Sequence, residues 1–158
     1  MEDLAKLVEV LCALPDEQQW FEFKYDNYKP EMIGSDISAL ANSATLHEKE
    51  YAYMIWGIDD TTHEIIGTNN NLQSLKIGNQ ELENWLRSLL SDNAVFSFHT
   101  VSVQNKNIGV LVIGCAQGHP ITFKSIPYVR LGSYTKKLQD HPSLQAALWE
   151  KLRFTPLQ

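Results

Sequence analysis

An apolar run from Tyr51 to Ile58 constrains the fold of this chain more than any other feature. The run reads Tyr-Ala-Tyr-Met-Ile-Trp-Gly-Ile and has the length of a strand rather than of a helix. Apolar side chains on both faces are typical of a strand in the middle of a sheet. The run ends at Asp59 and Asp60, a position where open α/β sheets present functional side chains. We therefore expect a central strand followed by acidic residues.

Hydrophobic spacing predicts the elements around this strand. Helical spacing favours four helices, near residues 4–11, 30–45, 82–89 and from Pro142 onward. Alternation or β-branched runs favour strands at Trp20–Tyr25, Ala94–Val103, Ile108–Cys115, Ile121–Phe123 and Tyr128–Leu131. This order predicts an α+β fold, with a central mixed, largely antiparallel sheet flanked by about four helices in one domain over residues 1–158.

Length and composition exclude several classes of protein. A chain of 158 residues, 44% of them hydrophobic, is long enough for one core and too apolar to be disordered. No apolar run approaches the roughly 20 residues that cross a bilayer, and Met1–Ala13 lacks a secretory pattern. We expect a cytoplasmic protein with no membrane partner. Cys12 and Cys115 have no metal-binding spacing, and we expect reduced, buried thiols.

The charge is distributed unevenly along the chain. The net charge is −6, yet residues 1–100 hold 6 Lys or Arg against 17 Asp or Glu, whereas residues 101–158 hold 7 against 2. From Val101 to Gln139 every charged residue is basic. One face of an acidic protein can therefore be basic and attract phosphates. The alternative is that these charges are distributed over the surface, in contact with solvent, and form no binding face.

Acidic residues and a lysine converge on the first predicted strand. Glu22 and Lys24 share one face of it, Glu17 lies in the turn before it, and Asp60 ends the central strand. Clustered carboxylates can hold Mg²⁺ or Mn²⁺, which stabilises the charge that develops during phosphodiester cleavage. A cross-strand salt bridge on an exposed face explains the same residues without any chemistry.

Four short motifs in order resemble the Schlafen AlbA-2 domain, in its bacterial type, from about Leu14 to Leu152. The motifs are Glu17-Gln18-Gln19-Trp20-Phe21-Glu22-Phe23-Lys24, Ile37-Ser38-Ala39-Leu40-Ala41-Asn42-Ser43, Ile55-Trp56-Gly57-Ile58-Asp59-Asp60 with Ile66-Gly67, and Tyr128-Val129-Arg130-Leu131-Gly132-Ser133. The resemblance implies a nucleic-acid-binding domain, for DNA or RNA, at the N-terminus of a longer protein of the ATP-binding or transcriptional-regulator type. Where the family has Asn-Thr-x-Gly-Gly, this chain has Asn42-Ser43-Ala44-Thr45 and a longer polar connection from Leu46 to Glu50.

The resemblance also implies a catalytic alternative. Animal Schlafen ribonucleases use a Glu-x4-Glu-x-Lys motif and the second Asp of a Gly-hydrophobic-Asp-Asp motif, which fall here on Glu17, Glu22, Lys24 and Asp60. The resemblance thus implies a Mg²⁺- or Mn²⁺-dependent endoribonuclease that cleaves structured RNA such as transfer RNA, in which Glu17, Glu22 and Asp60 bind the metal ion. Because the ribonuclease core joins two such lobes, a single lobe would act as a homodimer.

Five basic residues and one serine are the candidates for contacts with phosphates of a nucleic acid. They are Lys24, Lys124, Arg130, Ser133, Lys136 and Lys137, where Arg forks onto phosphate and the Gly-Ser amides add donors. The alternative for Arg130 is a pairing with the acidic half of the molecule. Trp20 shares the Glu22 face, where its ring can stack on a base. The chain has no Gly-x4-Gly-Lys-Ser/Thr loop for phosphates, so we expect no ATP site within these residues. It also lacks the Gly-x-Ser-x-Gly motif of serine hydrolases and a histidine pair spaced to bind a metal. A third possibility is a non-catalytic protein-interaction or dimerisation domain.

Overall fold

The computed structural model describes residues 3–154, with the side chain of Phe154 left out. The helices are α1 (Leu4–Cys12), α2 (Pro30–Leu46), α3 (Leu82–Leu89) and α4 (Pro142–Phe154). The strands are β1 (Phe21–Lys24), β2 (Tyr51–Trp56), β3 (Lys76–Ile77), β4 (Gln80–Glu81), β5 (Phe96–Val103), β6 (Lys106–Gly114), β7 (Thr122–Phe123), β8 (Ile126–Leu131) and β9 (Tyr134–Lys137). Two 3-10 turns lie at Leu72–Ser74 and Leu138–Asp140.

A four-stranded mixed sheet forms the centre of the domain, in the order β1-β2-β6-β5. β1 runs parallel to β2, while β2–β6 and β6–β5 are antiparallel. β2 is an inner strand, and Ala52, Met54, Ile55 and Trp56 are fully buried, as its apolar sequence requires. The α+β class with a central mixed, largely antiparallel sheet and four helices is thereby confirmed.

The two faces of this sheet are covered by different elements. Phe21 and Phe23 of β1 pack in one apolar cluster with Val8 and Leu11 of α1. The other face packs against α2, whose Ile37 and Leu40 belong to the second cluster. Because successive strand residues point to opposite faces, Glu22 and Lys24 lie on the α2 side.

Helix α2 is buried almost completely, because elements contact it on several sides. It touches β2, the strands β7, β8 and β9, and helix α4. Between Ile33 and Thr45 only Ser35 is more than slightly exposed. Pro30 stands in its first turn, where the missing N–H costs nothing. A helix in this position needs a partner for every polar side chain that it carries.

The last strands depart from the sequence expectation. We expected the strands at Ile121–Phe123 and Tyr128–Leu131 to belong to one mixed sheet. They form instead a separate three-stranded sheet, β7-β8-β9, because the unexpected strand β9 pairs with β8. The chain reverses between β8 and β9 at Gly132, whose φ of +60° suits glycine. The resulting β8–β9 hairpin, residues 126–137, packs on α2.

Two further expectations concern membranes and cysteines. No helix within residues 3–154 is long and apolar enough to cross a bilayer. Cys12 and Cys115 are free cysteines, but they are only partly buried, whereas we expected buried thiols.

Candidate functional site

The polar face of β1 is covered by protein rather than open to solvent. Glu22 is only 6% exposed, although the alternating sequence is typical of a half-buried strand. Lys24 Nζ lies 3.1 Å from Glu22 Oε2, so the two residues of the expected site form an ion pair. Burial of this face follows from the β8–β9 hairpin, which brings Arg130 to the same carboxylate.

Arg130 is the centre of a buried network that joins four elements, β1, α2, β8 and β9. It is 2% exposed, and its Nη2 donates to Glu22 Oε1 at 2.6 Å. Its Nη1 donates to Thr135 Oγ1 at 3.1 Å and lies 3.8 Å from Asp36 Oδ1. The hydroxyl of Thr135 donates in turn to Asp36 Oδ1 at 2.6 Å. We call Glu22, Asp36, Arg130 and Thr135 the Arg130 network.

The two buried carboxylates of this network differ in their electrostatics. Burial raises the pKa of Asp36 to about 7, and the neighbouring charge of Glu22 adds to the shift. Burial also acts on Glu22, but Arg130 and Lys24 outweigh it and hold the pKa of Glu22 below its usual value. Glu22 is therefore the ionised partner of Arg130, while Asp36 exchanges a proton near neutral pH.

Polar side chains of α2 attach the β8–β9 hairpin to the rest of the domain. Asn42 Nδ2 donates to the carbonyls of Ile121 and Tyr128, and its Oδ1 accepts from the amide of Ile121. Ser38 Oγ accepts from the amide of Tyr128, and Ser43 Oγ accepts from the amide of Arg130. These residues of the second motif thus serve as buried partners for backbone groups.

The other two carboxylates of the expected cluster have local roles. Glu17 Oε2 accepts from the amide of Phe23 at 2.6 Å. Burial raises the pKa of Glu17, and the charge of Glu22 adds to the rise while the Phe23 amide opposes it. Asp59 accepts from the amides of Thr61 and Thr62 in the turn after β2. Asp60 is exposed in that turn.

The arrangement of these acids does not fit a divalent cation as it stands. Glu22 faces two cations, Arg130 and Lys24, which compete with any metal for its oxygens. Within residues 3–154, no group of three or more His, Cys, Asp or Glu side chains is arranged to hold a metal ion. Binding of Mg²⁺ or Mn²⁺ by Glu17, Glu22 and Asp60 stays a prediction, and we derive no chemistry from it.

The β8–β9 hairpin presents exposed basic and aromatic groups along β9 and in the turn before it. Ser133, Lys136 and Lys137 are exposed, and Tyr134 is 68% exposed. Lys136 Nζ lies 5.5 Å from the centroid of the Tyr134 ring. Neither lysine has an acidic partner among the residues that the structure describes. The exposed residues of the hairpin offer cations and an aromatic face to a partner.

Three other basic residues of the C-terminal third have partners on the protein. Lys124 is paired with Glu31, and Lys151 with Glu48. Lys106 Nζ donates to the carbonyl of Ile65 at 3.0 Å. The six nucleic-acid candidates therefore fall into three groups. Lys24 and Arg130 are paired with Glu22, and Lys124 is paired with Glu31. Ser133, Lys136 and Lys137 face solvent.

The fold defines the chain as one of a class of α+β domains already seen in solved structures. It matches the crystal structure of the DIP2311 protein from Corynebacterium diphtheriae with a TM-score of 0.59 and 16% identity, covering 98% of this chain. It also matches the N-terminal domain of a RecG-related protein from Nitrosomonas europaea with a TM-score of 0.56 and 19% identity, covering 87% of this chain and 88% of that domain. The chain spans only 29% of the DIP2311 protein.

The sequence places the chain within this class more narrowly. It belongs to the Schlafen AlbA_2 family, whose model matches residues 17–139. The matched range contains all four motifs on which the resemblance rested. No curated protein matches the chain.

Sequence reasoning missed two members of the Arg130 network. Asp36 stands among small and apolar residues of α2, but nothing local in the sequence shows that this helix is enclosed. Thr135 lies on β9, a strand that we did not expect. Arg130 was found as a functional candidate, but its burial was not foreseen.

Proposed function

We propose that this domain binds nucleic acid, DNA or RNA, through the exposed residues of its β8–β9 hairpin, as a regulatory module. The observation that carries the proposal is the exposed Lys136 beside the exposed ring of Tyr134, with the exposed Lys137 next along β9. Cations that have no acidic partner among the described residues are free to replace the counterions of phosphates. The Tyr134 ring adds a surface on which a base can stack.

The buried part of the hairpin supports this proposal by holding the exposed part in place. Arg130 and Thr135 are bonded to Glu22 and Asp36, and Asn42 and Ser43 hold the backbone of β8. A binding element that is ordered before it meets its ligand loses less conformational entropy on binding. In this function Arg130 positions the hairpin, and the lysines contact the phosphates.

The family and the structural neighbours support a nucleic-acid role at a coarse level. One neighbour is the N-terminal domain of a protein related to RecG, an ATP-dependent DNA helicase by its name. The likeness is a likeness of fold, and the choice between DNA and RNA rests on experiment. Homodimer formation is also a prediction, which sedimentation equilibrium of the chain would check.

The test is a measurement of affinity at two salt concentrations with labelled single-stranded RNA and duplex DNA. We expect the affinity to fall steeply with salt, and the double variant Lys136→Ala/Lys137→Ala to bind more weakly with a log–log salt slope reduced by about 1 per lysine. The matched control is Lys6→Ala/Lys76→Ala, which removes two exposed lysines elsewhere. Equal affinity of the two double variants for nucleic acid would show that the hairpin is not part of the interface. Salt-independent or absent binding would favour a protein-interaction domain.

Cleavage of RNA is the alternative that the family suggests, and the Arg130 network argues against it. A ribonuclease would need Glu22 as a metal ligand, whereas Glu22 neutralises Arg130 in this structure. Incubation of transfer RNA with Mn²⁺ and the intact chain checks this. We expect no cleavage; cleavage that is lost in Glu17→Ala, Glu22→Ala and Asp60→Ala while RNA binding remains would establish the nuclease instead.

A further inference from the structure

A second feature lies apart from the hairpin, at the point where the chain enters β1 and leaves α2. An open cleft of about 400 Å³ is present there, within the size range of small-molecule sites. Its walls are Leu14, Gln18, Gln19, Trp20, His47 and Lys49. His47 and Lys49 belong to the polar connection from Leu46 to Glu50.

Trp20 supplies a ring in a fixed position to this cleft. The edge-on contacts of its ring with Phe21 and Tyr53 have centroid distances of 4.9 Å and 6.3 Å. Its carbonyl accepts from the amide of Tyr53, which anchors its backbone to β2. The side chain is half-buried, so part of the ring remains open to the cleft. A ring held in this way loses little freedom when a flat group stacks on it.

The other walls carry a cation and polar groups. Lys49 Nζ lies over the Trp20 ring, 5.0 Å from its centroid, on an exposed side chain. Gln19 Oε1 is 2.8 Å from Nε2 of His47, and the exposed Gln18 lies on the same wall. Amide side chains can both donate to and accept from the edge of a base. The cation can follow a phosphate that lies beside a stacked ring.

We propose that this cleft binds one nucleotide unit, with its base stacked on Trp20 and its phosphate on Lys49. The identity of the ligand rests on the proposed function, since an unpaired strand held by the hairpin would supply such a unit. A free nucleotide offers the same chemistry from a second source. An aromatic face, an adjacent cation and two amides within one cleft are the groups that this ligand needs.

The experiment uses the full chain with two probes, adenosine 5′-monophosphate and a short single-stranded oligonucleotide. Tryptophan fluorescence reports stacking, and calorimetry gives the affinity. The test variants are Trp20→Leu and Lys49→Ala. The controls are Trp149→Phe, which removes another partly exposed tryptophan, and Lys76→Ala, which removes another exposed lysine. Ribose 5-phosphate serves as the ligand without a base.

We expect adenosine 5′-monophosphate to quench the fluorescence, and Trp20→Leu and Lys49→Ala each to lower its affinity about tenfold. The two control variants should bind as the natural chain does, and ribose 5-phosphate should not compete. Because Lys49 is exposed, its substitution tests the site even if Trp20→Leu disturbs folding. Unchanged affinity in Lys49→Ala, or equal binding of ribose 5-phosphate, overturns the inference.

The two probes also separate this inference from the proposed function. Quenching by the mononucleotide without binding of the oligonucleotide supports the cleft for a free nucleotide and contradicts the hairpin interface. Binding of the oligonucleotide that depends on Lys136 and Lys137 but not on Trp20 or Lys49 supports the hairpin and overturns the cleft. If the oligonucleotide loses affinity both in the Lys136→Ala/Lys137→Ala variant and in the Trp20→Leu and Lys49→Ala variants, the result supports the hairpin interface and the cleft.

Discussion

The β8–β9 hairpin carries basic residues in two opposite situations. Arg130 on β8 is 2% exposed and is bonded to Glu22, while Lys136 and Lys137 on β9 are exposed. Both kinds of residue stood in one list of phosphate-binding candidates, because sequence gives only their charge. A basic residue of this hairpin can therefore hold the hairpin against the rest of the domain, while other basic residues of the same hairpin face solvent.

The difference follows from the energetics of burial. Moving a charged guanidinium from water into the protein interior costs several kcal/mol, unless acidic partners and hydrogen bonds compensate for the lost hydration. Arg130 finds Glu22, Asp36 and Thr135, although one of its donors, Nε, has no hydrogen-bond partner among the described residues. The two lysines keep their water and need no partner.

The largest effect is expected for Arg130→Ala. Its removal leaves the ionised Glu22 buried with only Lys24 beside it, which should lower the free energy of unfolding by about 3–5 kcal/mol. Urea denaturation of the variant and the natural chain measures this difference in the free energy of unfolding. Arg130→Lys is the matched control, because it keeps the charge but not the fork that reaches Glu22 and Thr135, and we expect it to recover part of the loss. A loss below about 1 kcal/mol in Arg130→Ala would show that the network contributes little.

Asn42→Ala tests whether hydrogen bonds of α2 hold the hairpin as well as the ion pair does. The substitution leaves the carbonyl of Tyr128 and the amide of Ile121 without their partner in the interior. We expect a loss of about 2–4 kcal/mol in urea denaturation, from two buried backbone groups at about 1–3 kcal/mol each. The control is Asn79→Ala at an exposed position, where the change should stay within about 0.5 kcal/mol. Equal stability of the two variants would mean that water replaces the Asn42 amide.

Local patterns were enough to predict much of this fold. The apolar run at Tyr51–Ile58 led to the central strand, and helical spacing led to all four helices. These features depend on neighbours within a few residues, which is why one sequence suffices. β9 was not predicted, because its alternation of Tyr, Thr and Lys has little apolar signal.

The site could be predicted only in part, for a related physical reason. Glu22 and Arg130 were both found, but their pairing spans 108 positions and depends on how the hairpin packs on α2. The alternation of β1 indicated a polar face, yet whether such a face meets water or another layer is decided by tertiary packing. Asp36 looked like a surface acid of an ordinary helix because nothing local shows that α2 is enclosed.

Asp36→Asn should change how stability depends on pH. The folded pKa of Asp36, raised from 3.8 to about 7, exceeds its unfolded value, so the folded state binds more protons between these limits. The contribution of Asp36 is therefore fully present below about pH 4 and is lost as the pH rises through about 7. Glu22, Arg130 and Thr135, which face Asp36 from β1, β8 and β9, are unchanged in the variant.

The measurement is the free energy of unfolding of both proteins from pH 4 to pH 8. We expect the natural chain to lose up to about 4 kcal/mol relative to Asp36→Asn over this range. Glu22, whose pKa is lowered, acts in the opposite direction in both proteins. Parallel pH curves would contradict the raised pKa of Asp36.

The smallest effect on stability is expected for the residues with the greatest expected effect on binding. Lys136→Ala/Lys137→Ala removes two exposed charges, so the free energy of unfolding should stay within about 0.5 kcal/mol of that of the natural chain. The same variant should weaken nucleic-acid binding and its salt dependence. Arg130→Lys should do the reverse, lowering stability while leaving the salt slope unchanged. A change of salt slope in Arg130→Lys would mean that Arg130 leaves Glu22 to contact phosphate, and the distinction between the two kinds of basic residue would fail.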